Sequence, residues 1–205
     1  GRAMMFMISV FAQLERDTIA ERIRDNMLEL AKTGRWLGGM TPTGYKSEQI
    51  ENITVDGKKR KLYKLSTIDN EVRIVKILFD KMRELKSQTK LETYTIQHDI
   101  KTKNDKAYTR WGLKNILINP VYAIADQDTL DYFRNLGVEI YADEKEFDGI
   151  HGLMVYNKTE KKKNQVVRKD VNDWIVAVGK HKGIIAGKEW VEVQELLDRN
   201  SDMKY

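Results

Sequence analysis

Apolar side chains recur every three or four residues from Met4 to Leu30, except across one polar gap between Phe11 and Ile19, and this spacing predicts one long amphipathic helix. The pattern ends before Gly34, a residue type favoured just beyond a helix C-terminus. A helix over 1–33 would be roughly 50 Å long at about 1.5 Å per residue. Because it opens without a Ser, Thr, Asp or Asn cap, we expect its true start to lie upstream.

The first third of this helix is apolar nearly all round, whereas the remainder is charged. An all-round apolar surface predicts burial against a partner, so we expect self-association through Met4, Met7, Ile8 and Phe11. A core helix of an ordinary domain or a coiled-coil seam would give the same periodicity, and truncation of the chain could expose the same residues.

A β-hairpin and a helix are predicted next. Alternating apolar residues flank Asp56-Gly57, a dipeptide typical of two-residue hairpin turns. Ser66-Thr67 then offers a cap for a helix with core-facing positions at Val72, Ile74, Val75, Leu78, Phe79 and Met82. The basic residues after the turn would lie at an exposed hairpin tip, where they can reach phosphates: Lys58, Lys59, Arg60 and Lys61.

A helix–turn–helix arrangement is predicted further along. Leu91, Tyr94 and Ile100 indicate a short helix, and Asn104-Asp105 marks the following turn. Thr109 can cap a second helix over 110–118, which ends before Asn119-Pro120.

This second helix carries residue types that read DNA. Arginine can contact guanine and asparagine can contact adenine in the major groove. The candidate DNA-binding residues are Thr109, Arg110, Lys114 and Asn115, and the apolar side is expected to hold Trp111, Leu113, Ile116 and Leu117. A short surface helix with these residues is also common in ordinary globular domains.

The last third of the chain predicts a mixture of helices and strands. The fold class is therefore α+β, with a long N-terminal amphipathic helix followed by a mixed helical domain with small β-hairpins. The expected elements are a helix over 128–136 ended by Gly137, a strand over 138–141, a loop over 149–152, a ribbon pairing 153–156 with 166–167, a strand over 174–178, and a final helix over 188–200 that places Trp190, Val193, Leu196 and Leu197 on one face.

Composition narrows the class of protein. In 205 residues, 41% are hydrophobic and 33% are charged, and no apolar run approaches the roughly eighteen residues of a membrane span. The absence of cysteine excludes disulfides and thiolate metal sites and suits a reducing cytoplasm. We interpret the three histidines, His98, His151 and His181, as surface or capping residues, and expect neither a metal nor a cofactor.

The net charge of +5 is modest, but its distribution is informative. One basic cluster follows the hairpin turn, a second contains Lys158, Lys161, Lys162, Lys163, Arg168 and Lys169, and an acidic stretch over 126–148 lies between them. A single cluster is most often a solvated surface. Two separated clusters favour an oriented polyanion partner, for which double-stranded DNA is the obvious candidate.

The glycine-rich segment after the first helix divides the chain. We predict a helix over 1–33, a linker over 34–46 and a DNA-binding domain over 47–205, with a subdivision near 120–126 left open. Positive charge and glycines would suit a minor-groove arm, although a plain flexible connector has a similar composition. Lys32, Arg35 and Trp36 are candidate DNA contacts, and Trp36 is expected to anchor the linker.

Three segments, in order, resemble a known family. They read AQLERDTIAERI followed by GRWLGGMTPTGY, RWGLKNILINPVYA, and WIVAVGKHKGIIAGKEWVEVQELLDRN. Together they resemble the large serine recombinases, at the junction of the catalytic domain with the recombinase DNA-binding domain. The chain departs from the family pattern at Ala123-Ile124, where the family has alanine-glycine, and the stretch over 126–171 matches no recognised motif.

The resemblance implies a site-specific recombinase that recognises attachment-site DNA. Its nucleophilic serine would lie upstream, so we expect no catalytic residue here and a fragment inactive by itself. Glu21 and Arg22 would lie near the cleaved backbone, and Arg16 and Arg24 are candidate phosphate contacts. Two alternatives stay open, namely a non-enzymatic DNA-binding regulator that dimerises through the N-terminal helix, and an interaction module without a nucleic-acid role.

Overall fold

The computed structural model describes the backbone of residues 2–55, 58–162 and 165–202. Within these ranges it describes every side chain except those at positions 20, 23, 24, 27, 28, 51–55, 58–60, 160–162, 165, 166, 168, 201 and 202. The predicted turn at Asp56-Gly57 and Lys163 lie outside the described residues.

Helices and strands are mixed along the chain, which confirms the predicted α+β class. The helices are α1 (Arg2–Lys32), α2 (Asp69–Leu85), α3 (Gln88–Gln97), α4 (Arg110–Leu117), α5 (Gln127–Asn135) and α6 (Gly187–Asp202). The strands are β1 (Tyr45–Val55), β2 (Lys58–Thr67), β3 (Glu139–Ile140), β4 (His151–Tyr156), β5 (Thr159–Lys162), β6 (Gln165–Arg168) and β7 (Ile175–Lys182).

Helix α1, which covers Arg2–Lys32, confirms the prediction of a long N-terminal helix. Its end is closed by hydrogen bonds from the Thr33 and Gly34 amides to the Leu30 and Ala31 carbonyls, and Gly34 adopts a φ of 67°. The buried Ala31 packs where the end of α1 contacts β4 and β7. The apolar residues at the start of α1 remain exposed.

The strands form three small sheets, and one predicted pairing is wrong. Strands β1 and β2 form an antiparallel hairpin, β5 and β6 form a second one, and the third sheet has the order β3-β7-β4. Residues 153–156 therefore pair with β7, and Val166 pairs with Lys161 instead. The expected loop over 149–152 is shorter, because β4 already begins at His151.

One core joins the hairpin β1–β2 to the helices. Phe79 of α2, Tyr122 and Trp190 of α6 are nearly inaccessible to solvent, and the base of the hairpin contributes Tyr45 and Leu65. The predicted apolar face of α6 is buried throughout. Residues on both sides of 120–126 belong to this core, and the division of the chain into segments stays a prediction.

Side-chain caps open α3 and α5, whereas the cap predicted for α2 is not formed. The Ser87 hydroxyl accepts a hydrogen bond from the Lys90 amide and opens α3, and the Asp126 carboxylate accepts one from the Thr129 amide and opens α5. The expected cap at Ser66-Thr67 is wrong, since both residues belong to β2 and Ile68 occupies the N-cap position of α2 without a side-chain bond.

His181 is not a surface residue, which corrects the sequence interpretation. Its side chain is 2% exposed, and because a carbonyl only accepts, the ring Nε2–H donates to the Val121 oxygen at 2.8 Å. The ring is enclosed so tightly that a Cβ on Gly152 or Gly179 would lie within 2.4 Å of it. Alternation along β7 shows which residues share a face, but which face lies against the core depends on the assembled sheet. The burial of His181 could therefore not be predicted from the local sequence.

None of the helices in the described part of the chain combines the length and the apolar composition needed to cross a lipid bilayer.

Candidate nucleic-acid interface

Helix α4 is held by its caps and its inner face. The Thr109 hydroxyl accepts a hydrogen bond from the Gly112 amide at 3.1 Å, as the sequence predicted. Leu113 and Leu117 are fully buried, so the helix cannot roll without opening the core. After α4 the Asn119 side chain accepts from the Val121 amide and fixes the exit of the chain. The outer face of α4 is therefore presented in one orientation.

Trp111 was expected on the inner face of α4 and lies on the outer one, 76% exposed. The reason is helical spacing, because two residues correspond to about 200° of rotation, which places Trp111 opposite Leu113. With Arg110 and Lys114 it lines an open depression of about 500 Å³, completed by Ser87, Gln88, Thr89 and Asn200. An exposed indole between two cations offers a flat apolar surface for a base or a sugar.

The polar residues of α4 are not equally available. The Arg110 Nε lies 3.2 Å from a Glu92 carboxylate oxygen, and the backbone amide of Arg110 donates to the same carboxylate. Among the described residues, Lys114 and Asn115 are exposed, and their side chains have no intramolecular hydrogen-bond or ion-pair partner. The Thr109 hydroxyl is occupied by its cap. Lys114 and Asn115 are thus the residues of this helix most ready to bind a ligand.

The connection between α3 and α4 corrects the predicted helix–turn–helix. The two helices are in contact, but residues 98–109 separate them, far more than the three to four residues of a DNA-binding turn. This connection forms its own small hairpin, with a bridge between Lys101 and Ala107. The predicted turn at Asn104-Asp105 is present, and Asp105 has a positive φ of 56°.

The linker is fixed to the domain at residues 34–36, which argues against a plain flexible connector there. The Gly34 carbonyl accepts from the Lys180 amide at 3.0 Å, the Arg35 carbonyl accepts from the Tyr156 hydroxyl, and the Trp36 amide donates to the Tyr63 carbonyl at 3.0 Å. The Trp36 ring also packs against the core, as predicted. The segment that stands free begins beyond it, where Gly38, Gly39 and Met40 are exposed.

Lys32 is engaged within the protein. Its Nζ lies 2.7 Å from a Glu29 oxygen and 4.6 Å from the centre of the Tyr141 ring. The hydrogen bond to Glu29 raises the pKa of Lys32, although desolvation partly opposes this. A DNA contact by Lys32 would have to replace these interactions.

The remaining candidates are spread along α1 and the hairpin β1–β2. Arg16 and Arg22 are exposed on α1, and Lys61 is exposed on β2. The side chains of Arg24, Lys58, Lys59 and Arg60 lie outside the described residues. The backbone places Lys58, Lys59 and Arg60 at the start of β2, paired with the end of β1. The second basic cluster includes β5 and β6, which form a second hairpin.

The geometry defines an α+β domain in which an anchored helix presents an exposed tryptophan, a lysine and an asparagine. A family model described as Recombinase matches residues 69–200, which include α2 to α5, all strands from β3 to β7, and most of α6. The chain belongs to the Recombinase family. The resemblance to large serine recombinases is thereby confirmed.

Two solved structures resemble this chain. One is described as an LSR–DNA complex, with 16% identity and a TM-score of 0.47, and the alignment covers 88% of this chain and 38% of that one. The other concerns the sequence requirements of the Listeria innocua prophage attP site, with 16% identity, a TM-score of 0.48, and coverage of 89% and 56%. This chain thus spans only part of each. No curated protein matches it.

Proposed function

We propose that this chain is the DNA-binding part of a site-specific serine recombinase and recognises duplex attachment-site DNA for strand exchange. The observation that carries the proposal is the outer face of α4, where the exposed side chains of Lys114 and Asn115 have no partner among the described residues, on a helix anchored in the core. Membership of the Recombinase family and the net charge of +5 support it. The nucleophilic serine belongs to another part of the recombinase.

The chemistry of α4 suits the major groove. An asparagine amide can pair with the N6 and N7 positions of adenine, and a lysine can donate to guanine or to a phosphate. Arg110 would have to give up its ion pair with Glu92 to contact a base or a phosphate. Because that loss offsets part of the gain, its contribution to DNA affinity should be smaller than its charge suggests. The exposed linker residues after Trp36 would follow the adjacent minor groove, together with the side chain of Arg35.

Replacing Asn115 by alanine is expected to relax the base preference at one position of the site, at a cost of about 1–3 kcal/mol for the preferred sequence. Selection of bound duplexes from a random pool by the unmodified chain and by the N115A variant measures this change. Asn135→Ala, at an exposed asparagine on α5, is the matched control and should leave the selected sequence unchanged. The proposed function is wrong if the unmodified chain binds no duplex, or if its affinity does not fall as salt rises.

We further propose that the exposed apolar start of α1 mediates self-association. Met4, Met7, Ile8 and Phe11 are each more than half exposed, and contiguous apolar surface of this kind marks contact sites.

Sedimentation velocity is expected to show dimers or larger species that dissociate when Met7 and Phe11 are both replaced by glutamate. Met40→Glu changes an exposed methionine in the linker and should leave the sedimentation coefficient unchanged. An unmodified chain that remains monomeric at high micromolar concentration would contradict this proposal.

A further inference from the structure

A narrow groove lies between β2 and the C-terminal end of β7, and we call it the β2–β7 groove. Lys64, Ser66 and Thr67 line one side, Lys180 and Lys182 line the other, and Ile150 and His151 complete the lining. Its volume is about 250 Å³.

The two lysines of β7 are held on a rigid backbone. Residues two apart on a strand share a face, so Lys180 and Lys182 are both exposed while His181 between them is buried. The Lys180 amide donates to the Gly34 carbonyl, the His181 ring donates to Val121, and the Lys182 carbonyl accepts from the Tyr45 hydroxyl at 2.8 Å. Each of the three consecutive residues is therefore fixed by a contact from a different element.

The charges at the groove are only partly balanced. Among the described residues, no carboxylate lies within ion-pair distance of Lys180 or Lys182. Lys64 is 3.8 Å from Glu48, a long contact between half-exposed groups.

Two acidic residues, Glu146 and Asp148, line a neighbouring depression with Lys180 and His151, and both accept hydrogen bonds from within the protein, Glu146 from the Asp143 amide. Asp148 lies 2.6 Å from the His151 Nδ1. Desolvation raises the pKa of Asp148, but hydrogen bonds from the His151 amide and ring and from the Ile150 amide outweigh it and lower the pKa to about 2. Asp148 is thus committed to His151, and the positive charge of the two β7 lysines is available to an external anion.

The size and continuity of the groove indicate which anion fits. Its volume is below the roughly 300–1,000 Å³ of sites for drug-sized ligands, so it suits a single phosphate group. Lys180 also lines a neighbouring depression of about 270 Å³ with Arg35 of the linker. Arg35 thus shares one depression with Lys180, and Lys180 shares the groove with Lys182, so the three cations are neighbours on the surface next to the end of α1, where a DNA backbone could contact them in succession.

We propose that the β2–β7 groove binds backbone phosphates of duplex DNA, with Lys180 and Lys182 as the principal contacts and the hydroxyls of Ser66 and Thr67 as additional donors. This inference rests on the proposed function and adds a second contact surface to α4. The contacts carry no base information and position the domain on the duplex.

The test is the salt dependence of binding to a mixed-sequence duplex of about 30 base pairs, which needs no knowledge of the attachment site. Each phosphate contact contributes about 0.9 to the slope of log affinity against log salt. The double variant K180Q/K182Q is therefore expected to lower the slope by about 1.8. The matched control K76Q/K188Q removes the same charge from exposed positions on α2 and α6 and should change the slope by less than half of that amount.

The outcomes separate the two proposals. No salt-dependent binding by the unmodified chain overturns the proposed function itself. Binding by the unmodified chain with equal slopes for the two double variants overturns only the groove. A parallel titration with inorganic phosphate, followed by the amide NMR signals of residues 180 and 182, tests whether the groove is a site for free anions. If phosphate saturates these signals while K180Q/K182Q leaves the salt slope of DNA binding unchanged, DNA is rejected as the ligand of the groove.

Discussion

Replacing Gly34 by alanine is expected to detach α1 from the domain and to lower the stability of the chain by roughly 2–5 kcal/mol. Gly34 has a φ of 67°, and an added Cβ would lie 2.0 Å from the Val178 carbonyl oxygen. The atoms that the Cβ would meet belong to the backbone of Val178 and Gly179, and the position of a Cβ is itself fixed by the backbone. No side-chain rotation can therefore relieve the overlap. The chain can respond only by moving residues 34–36 away from β7, which breaks the hydrogen bond between the Lys180 amide and the Gly34 carbonyl.

Gly38→Ala is the matched control for this substitution. Gly38 also has a positive φ, 103°, but no atom of the described residues lies within 4 Å of its added Cβ. Alanine at position 38 should therefore lose only the stability that a positive φ costs a residue with a Cβ, without any steric overlap. Denaturant unfolding measures the stability of both variants, and hydrogen exchange of the Lys180 amide reports the docking of the linker. Equal stability losses, with Lys180 protection unchanged in the Gly34 variant, would show that the linker does not dock on β7.

Local signals in the sequence predicted the elements that local chemistry determines. Gly34 ends α1, Thr109 caps α4, and the final helix buries its predicted face, because each depends on residues within about one turn. The failures concern contacts between distant segments. The partner of β4 is β7, and residues 166–167 could not be excluded as its partner from alternation alone, because strand pairing is chosen by the assembled core.

In the candidate site, too, features set by the local sequence could be predicted and features set by contacts between distant segments could not. The exposure of Lys114 and Asn115 follows from helical periodicity, and the same periodicity places Trp111 on the outer face, opposite Leu113. The pairing of Arg110 with Glu92 and the attachment of the linker to β7 arise from contacts across the fold and left no local pattern. The two β7 lysines of the β2–β7 groove could not be predicted for the same reason, since alternation shows only that Lys180 and Lys182 share a face.

His181 is expected to make the chain less stable as the pH falls from about 6.5 to about 4. Burial lowers the pKa of His181 from 6.5 to about 4, although its hydrogen bond to Val121 partly opposes this. The unfolded chain therefore binds a proton in this interval that the folded chain excludes, so the stability present above pH 6.5 is lost progressively toward pH 4. At about 1.4 kcal/mol per pH unit, the loss reaches about 3 kcal/mol.

Two variants isolate this effect from other titrating groups. His181→Gln keeps a donor that can reach the Val121 carbonyl but does not titrate, so its stability should fall less steeply between about pH 6.5 and about pH 4.5. His98→Gln removes an exposed histidine and should retain the steep dependence. Asp148 does not interfere, because the stability contributed by its lowered pKa is lost only below about pH 3.8. Should the His181→Gln substitution prevent folding, the NMR titration of the His181 ring in the unmodified chain decides, since a pKa at or above 6.5 contradicts the prediction.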